Sequence, residues 1–326
     1  MNTHLFAPVI FGLAASRRAN ASYQFASFDT IKEVSMQKRE SKGISERVGV
    51  DMTTQNHPSI PVESGYVPVN GLEMYYEIHG SGWPLVLLHG NLSAIGTSFG
   101  KVLPRLASTR RIIAVEQQGH GHTADIDRPL RIEQWAQDTT ALLRYLGIEQ
   151  ADFFGYSSGG AVALEIALRS PVLVRKLVWA GGTSYRRDGL YPELLAAGEA
   201  MKPEDLDGSP FQQEYASIAP HPEHWHRLVA KIADLDRATL GWPREAIQSV
   251  KAPALLIIGD SDIVRPEHVV EMFRLLGGGV VGDLVGLPRS QLAVLPGTTH
   301  VTLADRAEWL ASMITEFLDA PMPETK

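Results

Sequence analysis

A serine stands between two glycines where an apolar run meets an Ala-rich helical stretch. The segment Gly155-Tyr156-Ser157-Ser158-Gly159 fits the pattern G-x-S-x-G, which is typical of a strand–turn–helix that exposes a serine hydroxyl. Glycines two residues before and after the serine leave room for the close approach of strand and helix. Centring the pattern on Ser158 would put Tyr156 at the first glycine position. The pattern therefore predicts Ser157 as a nucleophile, against the alternative of a Gly-rich turn that merely starts a helix.

A serine hydroxyl is a weak nucleophile unless a base accepts its proton, so partners are needed. Asp260 and Asp262 follow one later apolar run, and His300 follows the last one. This is the chain order serine, acid, histidine that accompanies the G-x-S-x-G turn. We expect His300 to be the general base and one of the two aspartates to orient it. The alternative for His300 is a loop or helix-capping histidine.

Acyl chemistry also requires two N–H donors where negative charge develops on the substrate oxygen. Ser158 directly follows the nucleophile at the start of a helix, whose dipole adds to the effect. A second loop, His89-Gly90-Asn91-Leu92, follows the apolar run at 85–88. We expect the N–H groups of Ser158 and Asn91 to form an oxyanion hole, with Leu92 as the alternative second donor.

The elements that must position these residues alternate along the chain. Strands are predicted at 66–69, 73–78, 85–88, 112–115, 151–156, 176–180, 254–258 and 291–295, and helices at 132–146, 159–168, 266–276 and 304–318. Most of the strand runs are apolar on both faces, which is typical of a buried parallel sheet with crossover helices. The sequence therefore predicts an α/β fold with a mostly parallel eight-stranded sheet flanked by helices.

One interval is too long to be a bare connection between strands. We predict a helical cap at 183–250, inserted into a core formed by 61–182 and 251–320. The cap region is rich in aromatic residues, which favours an apolar or aromatic small molecule as substrate. Pocket-lining residues are expected to include Leu92, Trp179, Tyr215 and Trp225. The alternative is that the aromatic side chains only pack the cap onto the sheet.

The first 60 residues are polar and aperiodic for most of their length, so we expect a disordered N-terminal extension. An apolar run at 5–15 has no basic residue before it, and Arg17-Arg18 follow where a signal peptide would prefer small residues. We expect an over-long start with the working protein beginning near Met52, in the cytoplasm. The alternative is a genuine leader that exports the protein.

Bulk composition limits the classes of function. The 326-residue chain has a formal net charge of -7 and no cysteine. An acidic balance gives no reason to expect nucleic acid or a membrane surface as a partner, and disulfides and thiolate metal sites are excluded. We expect a small-molecule substrate, with no cofactor and no metal. Nothing in the sequence indicates an oligomeric state.

Taken together, the motifs resemble those of the α/β-hydrolase superfamily, particularly its small esterase, lactonase and non-haem haloperoxidase-like members. The resemblance covers about residues 65–320 and is carried by His89-Gly90, the stretch from Glu116 to Thr123, the turn around Ser157, Gly259-Asp260-Ser261-Asp262 with Pro266, and Gly297-Thr298-Thr299-His300.

The resemblance implies an α/β-hydrolase fold and a serine esterase or lactonase that works through an acyl-enzyme. It also selects the acid, because in the family's G-x-x-D-x-x-x-P stretch the aspartate lies four residues before the proline. This favours Asp262 over Asp260. One departure is that the usual D-x-R-G-x-G-x-S has Glu116, Gln118 and Thr123 here, so its hydrogen bonds must differ.

Three alternatives remain open from the sequence. The same triad could hydrolyse a carbon–carbon bond or form a peracid, and members of this fold also include receptors and degenerate pseudoenzymes that only bind a ligand. A metallohydrolase is the third alternative, because the segments 120–125 and 221–226 are rich in histidine. The first of these resembles H-x-H-x-D-H, but its aspartate is one residue late and no histidine follows.

Overall fold

The computed structural model describes residues 62–182, 184–238 and 241–322. The predictions for residues 1–60, including the leader and the over-long start, lie outside the described residues. Among the described helices, none has the length and apolar character needed to cross a membrane.

An eight-stranded sheet is the centre of the fold. Its strands are β1 (Val62–Val69), β2 (Leu72–His79), β3 (Trp83–Leu88), β4 (Arg110–Val115), β5 (Ala151–Tyr156), β6 (Val174–Ala180), β7 (Ala254–Ser261) and β8 (Ser290–Thr299). Their order across the sheet is β1-β2-β4-β3-β5-β6-β7-β8. Strand β2 is antiparallel to both neighbours, and every other neighbouring pair is parallel. The predicted eight-stranded, mostly parallel sheet is confirmed.

Helices cover the sheet and follow the strands along the chain. They are α1 (Ile95–Phe99), α2 (Leu103–Leu106), α3 (Ile132–Tyr145), α4 (Ser158–Arg169), α5 (Pro192–Ala200), α6 (Pro210–Ile218), α7 (Trp225–Ala238), α8 (Arg244–Ser249), α9 (Pro266–Leu275), α10 (Gly282–Val285) and α11 (Ala307–Asp319). Short 3₁₀ turns lie at Arg187–Gly189, Pro203–Leu206, Pro222–His224 and Val301–Leu303.

The alternation of side chains along the strands divides the core into two layers. In β3, Val86 and Leu88 pack into one cluster with α3, α4 and α9. Leu85 and Leu87 pack into the other cluster with α1, α2 and α11. Because successive strand residues point to opposite faces, a strand apolar at every position needs helices on both sides. The continuous apolar runs in the sequence have this physical origin.

The segment between β6 and β7 contains α5, α6, α7 and α8, so the predicted interval is helical in its described part. Helix α7 buries Leu228, Val229, Ile232 and Leu235, whose spacing places them on one helical face. These residues belong to the same apolar cluster as α3 and α4. The insertion is therefore packed onto one face of the protein through an apolar stripe.

Two predicted boundaries differ in the structure. The last strand continues to Thr299 rather than ending at residue 295. Pro296 is tolerated there because β8 is the edge strand of the sheet. The last helix starts at Ala307, after a 3₁₀ turn, rather than at residue 304.

Candidate active site

The turn between β5 and α4 has the strained geometry that the sequence pattern indicates. Ser157 has φ 55° and ψ -126°, a conformation that non-glycine residues rarely adopt. A Cβ on Gly159 would lie 1.9 Å from the Leu88 carbonyl oxygen, and one on Gly155 would lie 2.2 Å from the Gly159 carbonyl oxygen. Both glycines are therefore required by the close approach of β3, β5 and α4.

The three residues predicted as a triad meet at the carboxyl edge of the sheet. The distance from His300 Nε2 to Ser157 Oγ is 2.9 Å, and that from His300 Nδ1 to Asp262 Oδ1 is 2.8 Å. All three are buried, with exposed fractions of 8% or less. Because a carboxylate only accepts hydrogen bonds, Nδ1–H donates to Asp262 and Nε2 is left to accept from the serine hydroxyl. This arrangement can move a proton from Ser157 to His300.

The acid beside His300 is Asp262. Its carboxylate also accepts hydrogen bonds from the N–H groups of Gly259 at 3.2 Å and Ile263 at 2.7 Å. Burial acts to raise the pKa of Asp262, but the charge of His300 and these hydrogen bonds outweigh it and hold the pKa below its ordinary value. The group is therefore held as a carboxylate, the form that stabilises an imidazolium.

Asp260, the other candidate acid, has a different environment. Its exposed carboxylate accepts hydrogen bonds from the N–H groups of Gly297 at 2.9 Å and Thr298 at 3.1 Å. These bonds hold the pKa of Asp260 below its ordinary value and fix the loop that leads to His300. The structure thus places Asp262, and not Asp260, against the imidazole.

Tyr156 contacts both the main chain and the ring of His300, and the sequence analysis did not predict this contact. Its hydroxyl donates to the His300 carbonyl oxygen at 2.8 Å, and the two rings stack with centroids 5.5 Å apart. In the sequence, Tyr156 is marked only by its place in the G-x-S-x-G pattern. Any residue can occupy that position, so the pattern predicts no role for it. The contact supports the position of the His300 main chain.

The two predicted oxyanion donors lie on either side of Ser157. Ser158 is the first residue of α4, where a backbone N–H has no partner within the helix. A Cβ on Gly90 would lie 3.0 Å from Ser157 Cβ, so the loop that carries Asn91 passes directly over the serine. The alternative donor, Leu92 N–H, donates to His120 Nε2 at 3.1 Å. The Leu92 N–H therefore already has a partner, and Asn91 and Ser158 stay the predicted donors.

The stretch that departs from the D-x-R-G-x-G-x-S pattern forms its own hydrogen bonds. Glu116 accepts from the main chain of His122 at 2.6 Å and from its ring at 2.9 Å. Thr123 Oγ1 donates to the Glu116 carbonyl oxygen, and Arg128 Nε donates to Gln118 Oε1, each at 2.8 Å. The sequence analysis predicted that the hydrogen bonds of this stretch differ from those of the family. In the structure they form a compact set behind the loop that carries Asn91.

The two segments that suggested a metal differ in the structure, and the residues of the segment 120–125 have separate partners. His120 uses both ring nitrogens, for Leu92 N–H and the Gln118 carbonyl oxygen, and burial lowers the pKa of His120 to about 3. Asp125 instead pairs with Lys231 at 2.7 Å. Within the described residues, a group that could hold a metal lies on the insertion, with ligand atoms within 4.8 Å of one another: His221, Glu223 and His224.

A cavity of about 120 Å³ opens over Ser157. One wall is apolar and is formed by Ile132, Leu190, Leu194, Leu195, Met201 and Ile263. The remaining lining includes Asn91, Ser158 and several charged side chains of the insertion. The cavity therefore contains the serine, both candidate oxyanion donors and a surface able to bind a small acyl group.

The four residues expected to line the pocket are elsewhere. Leu92, Trp179, Tyr215 and Trp225 are all buried in the apolar cluster and are not among the residues lining this cavity. Tyr215 and Trp225 pack against each other with ring centroids 5.5 Å apart. Large apolar side chains gain most from full burial, so the insertion uses these aromatics as packing. The structure differs here from the expectation.

Replacing Trp225 with alanine is expected to reduce the free energy of unfolding by about 3–5 kcal/mol, the range for a buried aromatic residue. The relative kcat/KM values for esters of different chain length should stay unchanged. Leu195→Ala, in the cavity wall, should instead change that ranking by about tenfold. Chemical denaturation and a chain-length series of esters measure both effects. A changed ranking in the Trp225 variant would contradict this assignment.

The fold and the site together define a class of protein: a mostly parallel α/β sheet with a serine–histidine–aspartate constellation at its carboxyl edge. The chain belongs to the alpha/beta hydrolase family, whose family model matches residues 85–313. The match spans the serine, the aspartate and the histidine.

Individual relatives differ in their substrates. The chain is 26% identical to 2-hydroxymuconate semialdehyde hydrolase from Pseudomonas sp. (strain CF600), covering 81% of this chain and 95% of the relative. It is 28% identical to the pimeloyl-(acyl-carrier protein) methyl ester esterase of Neisseria meningitidis serogroup A, over 73% of this chain and 77% of the relative. The enol-lactonase from Burkholderia xenovorans LB400 shares the fold, with a TM-score of 0.60 at 19% identity over 78% of this chain and 100% of that one.

Proposed function

We propose that this chain is a serine hydrolase that cleaves a carboxylic ester or lactone of an apolar or aromatic small molecule through an acyl-enzyme. The observation that carries the proposal is the pair of hydrogen bonds at His300, 2.9 Å to Ser157 Oγ and 2.8 Å to Asp262 Oδ1. They lie beneath a cavity with an apolar wall. The methyl ester esterase among the relatives gives independent support.

The proposed reaction begins when Ser157 Oγ attacks the acyl carbon and its proton passes to His300 Nε2. The N–H groups of Asn91 and Ser158 stabilise the oxyanion of the tetrahedral intermediate. The carbon–oxygen bond to the alcohol then breaks, and His300 returns the proton to the leaving oxygen. Water attacks the acyl-enzyme by the same route in reverse, which releases the acid and restores Ser157. Side chains, main-chain amides and water supply every group in this sequence of steps.

We also propose that residues 183–250 act as a cap over the site. Residues of α5 and of the end of α7 form part of the cavity lining next to Ser157, among them Leu194, Leu195 and Asp236. Substrate selection would then depend on the insertion, and the chemistry on the core.

A second candidate is the hydrolysis of a carbon–carbon bond by the same triad. It is favoured by the similarity to a hydrolase of 2-hydroxymuconate semialdehyde over 95% of that protein. A Ser–His–Asp site does not by itself choose between an oxygen and a carbon leaving group.

A fluorophosphonate probe tests the proposal directly. The probe should label Ser157 in the wild-type protein but not in Ser157→Ala, as read by peptide mass spectrometry. The wild-type protein is then assayed on p-nitrophenyl esters, on lactones and on a 2-hydroxy-6-oxodienoate. Labelling with turnover of esters or lactones supports the first candidate, and labelling with turnover of the dienoate alone supports the second. An unlabelled Ser157 would indicate a ligand-binding protein without hydrolase activity.

A further inference from the structure

Asp236 differs from the other charged residues that line the cavity over Ser157. It lies near the end of α7, and its side chain is exposed to the cavity. Within the described residues, no Lys, Arg or His nitrogen lies within the 4.0 Å of its carboxylate that an ion pair requires. An ionised group without a counter-charge is costly wherever water is restricted.

The arginines of the same cavity already have partners. Arg186 pairs with Asp188 at 2.7 Å and Arg187 with Glu199 at 3.1 Å. Arg237 pairs with Asp234 at 2.6 Å. Three arginines would otherwise suggest an anionic substrate, but each has a carboxylate of its own. Among the described residues that line the cavity, Asp236 is the charged side chain without an ion-pair partner.

Asp236 also lies beside the proposed oxyanion hole. Its Oδ1 accepts a hydrogen bond from Asn91 Nδ2 at 3.2 Å, and the Asn91 main-chain N–H is the proposed oxyanion donor. Asn91 Oδ1 is buried without a hydrogen-bond partner among the described residues. Asp236 therefore presents a carboxylate acceptor next to the residue whose main-chain N–H is the proposed oxyanion donor.

The electrostatics agree with that geometry. The protein atoms around the Asp236 carboxylate displace part of its hydration and raise its pKa to about 7, against the lowering effects of the Asn91 hydrogen bond and of Arg187 and Arg237. A bound cation next to the carboxylate would remove this penalty on the ionised form.

We propose that Asp236 is a specificity-determining residue that binds a protonated primary amine of the substrate, so that the enzyme acts on esters or lactones of short amino acids. This inference rests on the proposed function, because it assigns a substrate class to the same cavity. The ammonium group contacts the unpaired oxygen of Asp236. The acyl carbonyl points to Asn91 and Ser158, and the rest of the molecule packs on the apolar wall that includes Leu194 and Leu195.

Two esters of equal size test the proposal. β-Alanine ethyl ester and ethyl butanoate differ only by an ammonium group in place of a methyl group. The wild-type protein should prefer the first by kcat/KM. Asp236→Asn retains an oxygen that accepts from Asn91 but removes the charge. It should reduce the preference by about 10- to 100-fold, in line with the loss of one charge pair in the cavity, and most of the loss should fall on β-alanine ethyl ester.

Glu204→Gln is the matched control. It makes the same change of charge on an exposed residue of the insertion that does not line the cavity, and the preference should not change. The proposal is overturned if Asp236→Asn leaves the preference intact. It is also overturned if both esters lose rate equally, since Asp236 would then act through Asn91, or if the wild-type protein prefers monoethyl succinate, since the arginines would then dominate.

A binding measurement separates this proposal from the proposed function. Calorimetry with propylammonium on Ser157→Ala needs no chemistry, and adding Asp236→Asn should weaken the affinity at least about tenfold. Binding that depends on Asp236 in a protein whose Ser157 resists the fluorophosphonate would support the amine site and reject the hydrolase. A labelled Ser157 without amine binding would reject the amine site alone.

Discussion

Alanine at Ser157 or at His300 is expected to lower kcat by at least about 10³-fold, and the double variant should lose little more. The structure gives the reason, because the two side chains share one hydrogen bond of 2.9 Å. Without the imidazole the serine keeps its proton, and without the serine the imidazole has no nucleophile to activate. Each single change therefore removes the same function.

The measurement is kcat for the best ester of the panel in the three variants. Ser158→Ala is the matched control, because the neighbouring serine has the same chemistry. Its Oγ is buried without a hydrogen-bond partner among the described residues, and only its main-chain N–H is used. It should retain most of the activity. Losses at Ser157 and His300 that simply multiply in the double variant would mean that the two residues act independently.

The sheet and the triad could be predicted from the sequence for a common physical reason. Buried parallel strands are mostly apolar, so β5 and β7 stand out, and a shorter apolar run marks β8, which is partly exposed. All three strands end at the carboxyl edge of the sheet. A residue directly after such a strand is thereby placed at that edge. Ser157 and Asp262 satisfy this condition. His300 does so as well, although β8 runs four residues further than predicted.

The pocket could not be predicted in the same way. The aromatic residues of the insertion, such as Tyr215 and Trp225, were expected to contact substrate because they are large and apolar. The same properties favour full burial, and the sequence does not say which apolar surface each one meets. Asp236 shows the reverse case. On an amphipathic helix a polar position is expected to face solvent, and nothing in the local sequence indicates that this position lines the same cavity as Ser157.

The choice of oxyanion donor shows a third limit. Both Asn91 and Leu92 follow Gly90 and could supply the second oxyanion donor. The local sequence does not show which of the two N–H groups already donates to another residue. His120 is 28 positions from Leu92 along the chain and accepts its N–H. Such a contact between distant positions becomes visible only in the folded chain.

Asp262→Asn should be the other severe change, with kcat lower by about 10⁴-fold. As a carboxylate, Asp262 can only accept, so it fixes the proton of His300 on Nδ1 and leaves Nε2 free to accept from Ser157. An asparagine can present its N–H₂ to Nδ1 instead. The imidazole proton then moves to Nε2, which can no longer act as a base, and the charge that stabilises the imidazolium is lost.

Asp260→Asn is the control for this change, since Asp260 is an aspartate two residues earlier, at the end of β7. Its amide oxygen can still accept from Gly297 or Thr298, so kcat should fall only a few-fold, with a small loss of stability.

The two aspartates also predict an effect of pH on stability. In the folded protein the pKa values of both aspartates lie below the ordinary range. Their contribution to the free energy of unfolding is therefore complete above the unfolded pKa of about 3.9, and it is lost as the pH falls through the folded pKa values. Thermal unfolding of the wild type and of each variant between about pH 3 and pH 6 measures this loss of stability. Each variant lacks one of the two carboxylates, so its stability should depend less on pH than that of the wild type. A mild Asp262→Asn together with a severe Asp260→Asn would reverse the assignment of the acid, since Asp260 would then have to orient His300 during the reaction.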